Sequence, residues 1–214
     1  DNSIEDYHNF TKNYTANPHI KEAWLNFYTL TTANATELVY RKFLDDYSDF
    51  PDKPRVFHDI ELSKLNLAPF KQNDKFGYAF TKDTLPDSIV LVIPVQYEEA
   101  LDFKCGVAAV RNQPCTDSRC SYFYIDKDNK TVFGGKKFNY PGNFDNGFAI
   151  VGIGDCEVDS CKYGMIDKLG NWSIPPVYTD FEDPTDFLYA VSKDSLYGFI
   201  NRQGKTVISL KYIN

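Results

Sequence analysis

Repetition is the feature that most limits what this chain can fold into, because a fixed period implies a structural unit whose faces are covered by neighbouring copies. Ala108, Ala149 and Ala190 are spaced 41 residues apart; Cys115 and Cys120 return 41 later as Cys156 and Cys161, and Tyr122 and Asn129 return as Tyr163 and Gly170. A last copy, shortened to 34, links Tyr163 with Tyr197, Gly170 with Gly204, Ile174 with Ile208 and Tyr178 with Tyr212, and its missing residues include the cysteine loop. The segments "YFYIDKDNKTV", "YGMIDKLGNWSI" and "YGFINRQGKTVI" each read as strand, polar turn and strand. Asn129, Gly170 and Gly204 stand where the turn needs a positive φ. A less regular version opens at Phe76, with a longer turn that carries Pro86. Linking stretches after the hairpins end in small-apolar strands, which gives about four strands per unit. The expected fold is mainly β: tandem antiparallel β-hairpin repeats with a period of about 41 residues in a solenoid- or propeller-like array, with a small α-helical N-terminal segment.

These residues carry a family resemblance. Tyr163, Gly164, Met165, Ile166 and Asp167, then Gly170, then Ile174, Pro175, Pro176, Val177 and Tyr178 resemble the WG-repeat family of bacterial proteins. So do Phe144, Gly147 and Ala149, and Phe103, Gly106 and Ala108. The resemblance spans about residues 73 to 214. The chain departs from the family in having Phe76, Tyr122, Tyr163 and Tyr197 in place of its Trp, Phe123 in place of its Gly, and Gly134 and Gly135 where Pro175 and Pro176 stand in the next copy. It implies a β-rich module, often in exported or envelope-associated proteins, with a binding role and no shared catalytic residues.

The first part of the chain has a different period. Ile20, Ala23, Trp24, Phe27 and Tyr28 follow the spacing of an amphipathic helix beginning near Asn17 and Pro18. A second helix is expected from Ala35 to Tyr47 with Asn34 as its N-cap. Asp49 to Pro54 reads as a linker, and Arg55 to Leu67 is ambiguous, a candidate strand completing the first or last repeat. The expected division is a helical segment and linker over 1–54 and a repeat domain over 55–214, with units of about 73–120, 121–161 and 162–196 and a partial one at 197–214. The helices read either as a cap on the array or as a separate docking element.

Thirty acids against 23 Lys and Arg give a net charge of −7, which repels phosphate backbones and anionic bilayers, so neither nucleic acid nor membrane insertion is expected. No apolar run approaches the length of a membrane span. The start at Asp1 and the single Met, Met165, are what a chain without its leader would show.

Local disulfides, Cys115 with Cys120 and Cys156 with Cys161, are the first reading of the two C-x4-C loops, and they place the chain in the periplasm, at the cell surface or outside. A four-thiolate zinc site between neighbouring repeats is the competing reading, and idle thiols are the third. Cys105 has no sequence partner and reads as a buried thiol. His8, His19 and His58 are too dispersed for a metal site, no cofactor motif occurs, and Glu98 with Glu99 or Glu182 with Asp183 read as solvated loop acids. The expected function is non-catalytic: an exported binding or scaffold protein that offers its β-repeat surface to a protein partner. The alternative is a glycan or cell-wall polymer module using Trp172, Tyr140, Tyr178 and Tyr212, although such rings are more often core. A carboxylate-dependent hydrolase stands last.

Overall fold

The computed structural model describes residues 3–82, 85–116, 120–156, 160–184 and 188–213. Its N-terminal part is four helices: α1 (Ile4–Asn13), α2 (Ile20–Thr31), α3 (Glu37–Asp46) and α4 (Lys53–Ser63). Trp24, Phe27, Tyr28, Phe43, Phe50, Val56 and Ile60 form their common core. None of these helices is long and apolar enough to cross a membrane.

Three sequence expectations change here. Helix α1 went unread because it buries only Thr11; it is fixed by a capping box between Ser3 and Asp6. The N-cap of α3 is Thr36, whose hydroxyl accepts from the Val39 amide, and Asn34 lies in the preceding loop. Asp49 to Pro54 is only partly a linker and Arg55 onward is no strand. Asp52 caps α4, Pro54 sits in its first turn where no amide partner is needed, and Val56 and Ile60, four apart, point into the helical core.

The rest is mainly β, in four small antiparallel sheets. The first contains β1 (Ala68–Gln72), β2 (Lys75–Lys82) and β3 (Leu85–Tyr97). The second contains β4 (Glu99–Ala100), β5 (Val107–Arg111) and β6 (Phe123–Asp126), the third β7 (Phe148–Ile153), β8 (Lys162–Asp167) and β9 (Trp172–Tyr178). The fourth contains β10 (Asp180–Phe181), β11 (Leu188–Lys193), β12 (Leu196–Asn201) and β13 (Thr206–Tyr212). Strand order follows chain order in each, and among the described residues no sheet closes into a barrel. Pro86 belongs to β3 rather than to a long turn, and residues 83–84 lie outside the described residues.

Side chains alternate between the two faces of a strand, and the second and third sheets use that alternation to join two different cores. In the second sheet Ala108, Val110 and Ile125 pack back against Tyr78 and Ile93 of the first. Its other face, Val107, Ala109 and Tyr124, packs forward against Ala149, Val151 and Ile166 of the third. The third sheet's opposite face, Ile150, Met165 and Ile174, packs forward against Tyr189, Val191 and Ile200 of the fourth. Each such buried Ile or Met contributes roughly 2 kcal/mol. The register corrects one part of the repeat. Val151 pairs with Gly164 and Val191 with Gly198, so the counterpart of Ala149 is Tyr189, and Ala190 faces the other way.

A cross-strand aromatic pair marks all four sheets: Phe76 with Tyr97, Tyr122 with Phe138, Tyr163 with Tyr178 and Tyr197 with Tyr212. Beside three of them a glycine lets the third strand come close. A Cβ added at Gly164 would lie 2.5 Å from the Ile174 carbonyl oxygen, and one at Gly198 would lie 2.6 Å from that of Ile208. Gly77 faces Ile93 in the same way. In the second sheet Phe123 takes the place of this glycine. Among the described residues no regular strand follows β6 as β9 follows β8: Phe133–Gly135 forms a 3-10 turn, and only isolated bridges, Tyr122 to Phe138 and Ile125 to Thr131, remain.

Candidate functional site

The helices meet the sheets through the loop between α2 and α3. Gly106 (φ +77°) and Gly147 (φ +84°) hold equivalent places before β5 and β7, and both lie in the left-handed region. A Cβ on either would come within 2.7 Å of a methyl group on that loop, Ala35 for Gly106 and Ala33 for Gly147. Two successive repeats therefore present the same bare backbone to one helical loop.

The hairpin turns form the other wall. Asp126 Oδ1 accepts from the amides of Asp128 and Lys130, Asp167 Oδ1 from Leu169 and Asn171, and Asn201 Oδ1 from Gln203 and Lys205. This side-chain turn mimic fixes each tip. Asn129, Gly170 and Gly204 close the tips with φ of +64°, +74° and +74°, as the sequence predicts. The residue after each acceptor is basic, and each of the three is put to a different use. Lys127 donates to the Leu62 and Leu65 carbonyls at the end of α4 (2.9 and 2.6 Å). Lys168 donates to the Cys105 carbonyl (2.5 Å) and stands over the Phe144 ring. Arg202 reaches the Tyr189 hydroxyl and the Phe148 ring.

Between these walls lies a cleft of about 620 Å³. Arg55, Lys127, Lys130 and Lys168 line it against Asp59, Asp126 and Asp128, so cations lead in a chain where acids lead 30 to 23. The Tyr28 hydroxyl donates to Asp59 Oδ2 (2.6 Å). Burial raises Asp59 above the usual carboxylate range, against the pull of Tyr28 and Arg55, and burial together with that hydrogen bond raises Tyr28 strongly. His58 Nε2 lies 2.9 Å from both Asp128 oxygens. Burial alone would raise Asp128, but hydrogen bonds from His58 and Lys130 outweigh it and hold the carboxyl low. Lys168 is the buried cation of the cleft, and desolvation pulls its amine down to about 8. Keeping an ammonium there costs stability.

Of the four candidate aromatic residues, Tyr140 and Tyr178 both neighbour Tyr163, and the other two contact neither of them. Tyr140 and Trp172 are exposed, standing edge-on to Tyr163 and Phe138 respectively, and Tyr178 is half-buried and edge-on to Phe181. Tyr212 is exposed on the fourth sheet. None of them lines the cleft. Glu98 pairs with Lys75, while Glu99 is held by Arg111 (2.9 Å) and Tyr122 (2.7 Å); Glu182 and Asp183 are exposed. His8 stacks on Phe27 as a packing residue, and His19 pairs with Glu22 at the surface. The helical contribution to the cleft, Tyr28, Arg55, His58 and Asp59, was not read from the sequence. The basic position was legible in principle, since Lys127, Lys168 and Arg202 recur at the repeat spacings.

Cys115 is bonded to Cys120 and Cys156 to Cys161, with Cα separations of 4.4 and 4.3 Å, so the four sulfurs a zinc site would need are taken. Residues 117–119 and 157–159 of these loops lie outside the described residues. In the fourth sheet Asp194 and Ser195, both at positive φ, replace the loop with a two-residue turn. Cys105 is a free thiol, half-buried rather than buried, with Sγ 3.5 Å from the Phe144 carbonyl. Alkylation without reductant is expected to modify Cys105 alone. Reduction is expected to cost about 2 kcal/mol per bridge, because each closes a short loop. Mass spectrometry and thermal melts check both. Two such bridges suit an oxidising compartment.

A family model described as WG containing repeat matches residues 90–113, 163–197 and 197–212. The resemblance carried by the glycine turns and aromatic pairs is borne out at these stretches. No curated protein and no solved structure matches the chain.

Proposed function

We propose that this chain is a non-catalytic binding module of an exported protein, and that it holds an acidic segment of a protein partner in the cleft between the helices and the repeat turns. The observation that carries this is Lys168, a buried ammonium kept against its desolvation cost on the wall of a cleft richer in cations than the chain as a whole. An acidic group brought to it would add to the counter-charge of Asp126 and Asp59, which does not offset its desolvation. A binding role is further supported because the titratable groups nearby serve structure: Lys127 closes a helix end, Asp126 a turn, and Asp59 holds Tyr28. The repeats then act as an open, solenoid-like scaffold whose turns form one wall of the site. The two disulfides favour placement outside a reducing cytosol.

Fluorescence anisotropy with a labelled oligoglutamate peptide tests this. Saturable binding that weakens as salt rises is expected. Lys168→Met or Arg55→Ala should weaken it about tenfold, equivalent to roughly 1.4 kcal/mol. Lys21→Ala, on the exposed side of α2, should leave it unchanged. No binding at low salt, or equal binding by all variants, overturns the proposal.

A further inference from the structure

The aromatic pair of each sheet belongs to a row that crosses its strands. By register the row is Glu99, Arg111, Tyr122 and Phe138 in the second sheet, Tyr140, Gly152, Tyr163 and Tyr178 in the third, and Asp180, Ser192, Tyr197 and Tyr212 in the fourth. The first two places of the second and fourth rows are polar. Arg111 donates to Glu99 (2.9 Å), and the Ser192 and Thr179 hydroxyls lie 2.8 Å apart. The third row carries Tyr140 and Gly152 instead. A Cβ on Gly152 would meet Tyr140 Cβ at 2.9 Å and Tyr163 Cε1 at 3.1 Å, so the glycine lets these two residues close over its strand. Their ring centroids are 5.4 Å apart and their planes 78° apart. The cover over the rows differs too. Tyr122 is 8% and Phe138 3% exposed, whereas Tyr140 is 45% exposed and Tyr163 and Tyr178 are half-buried on the side that faces the fourth sheet. The β11–β12 hairpin turns at Asp194 and Ser195, one residue pair past Ser192 and Tyr197, at the height where the β7–β8 hairpin runs on into its cysteine loop. The fourth sheet therefore stops short over the third row and leaves a notch lined by the three tyrosines.

We propose that this notch is a second binding site and that it takes a neutral saccharide. A sugar ring has an apolar C–H face and a rim of hydroxyls, and a tyrosine has an apolar ring and a hydroxyl tip, so a row of tyrosines meets both parts at once. Among the described residues no hydrogen bond ties the Tyr140 or the Tyr178 hydroxyl. An apolar protein segment would leave both without partners, at a cost that a hydroxylated ligand avoids. A charged ligand would find no counter-charge in the row, which is uncharged where its neighbours carry Glu99, Arg111 and Asp180. None of the three tyrosines lines the cleft, so the notch stands apart from the function proposed above.

Isothermal titration calorimetry with cellohexaose, chitohexaose and mannohexaose tests it. Saturable binding of at least one is expected, with no change between low and high salt because neither side is charged. Tyr140→Ala and Tyr178→Ala should each weaken it about tenfold. Tyr140→Phe and Tyr178→Phe, which keep the ring and remove the hydroxyl, should weaken it measurably, and they stand in for any alanine variant that circular dichroism shows to be unfolded. Trp172→Ala, on the opposite face of the third sheet, should leave it unchanged. Oligoglutamate, the probe of the cleft, should not displace the sugar. No binding of any of the oligosaccharides, equal binding by all variants, or displacement by oligoglutamate overturns the proposal. So does binding of a hexaproline peptide that the tyrosine substitutions abolish while no sugar is retained, since that would assign the notch to a protein ligand.

Discussion

Gly164→Val is expected to destabilise the chain by roughly 3 kcal/mol, among the larger effects a single substitution here can have. A Cβ at this position would meet the Ile174 carbonyl oxygen at 2.5 Å and Pro175 and Pro176 backbone atoms at 2.8 Å. These neighbours are backbone and cannot rotate away. Either β9 leaves β8, uncovering Met165 and Ile174, or the register slips and Ile174 leaves its core. Gly134→Ala is the contrasting case. Nothing lies within 4 Å of a Cβ there, so only the left-handed φ of +62° counts, at about 1 kcal/mol. Urea denaturation of both variants checks the comparison, and equal losses would mean that close strand approach is not what the glycine provides. The second sheet already illustrates the same physics, for it has Phe123 at this position and, among the described residues, only isolated bridges where β9 pairs with β8 in the third sheet.

Lys168→Met is expected to stabilise the chain at neutral pH by on the order of 2 kcal/mol. The amine titrates near 8 in the folded chain and near its ordinary 10.5 when unfolded. Between those values the unfolded state holds the proton that the folded state has released, so stability rises with pH across that window. Below it the full penalty of roughly 3 kcal/mol applies, offset on substitution by about 1 kcal/mol for the lost hydrogen bond to the Cys105 carbonyl. Denaturation at neutral pH and at successive steps through the window should show a rise for the wild type that is missing in the variant. A variant less stable at neutral pH would mean that the ammonium is well paired, and the case for an incoming acidic group would weaken with it. Gain of stability with loss of binding is the pattern of a functional residue.

Much of the fold was legible because its determinants are local. Asn129, Gly170 and Gly204 are turn residues that the positive φ selects, and the paired cysteines flank short loops whose ends must meet. The aromatic pairs were visible as a spacing, though not as partners. What the sequence did not carry was the phase of the repeat in space. Ala190 continues a numerical series, but one residue fewer before β11 turns it to the opposite face and brings Tyr189 into the core. Helix α4 was obscured by Pro54, which breaks a helix interior but suits a first turn. The cleft was illegible for a different reason. Its walls come from segments about 70 residues apart, as in the contact of His58 with Asp128, and nothing local in either segment announces the meeting.

Mapping amide shifts by 15N–1H NMR while titrating the oligoglutamate peptide tests the central claim, binding in the cleft, most directly. The account predicts shifts gathered on Tyr28, Arg55, Asp128, Lys130, Lys168 and Leu169, with Trp172 and Tyr140 unmoved. Shifts gathered on the exposed aromatic residues instead, or none anywhere at saturating peptide, would contradict it.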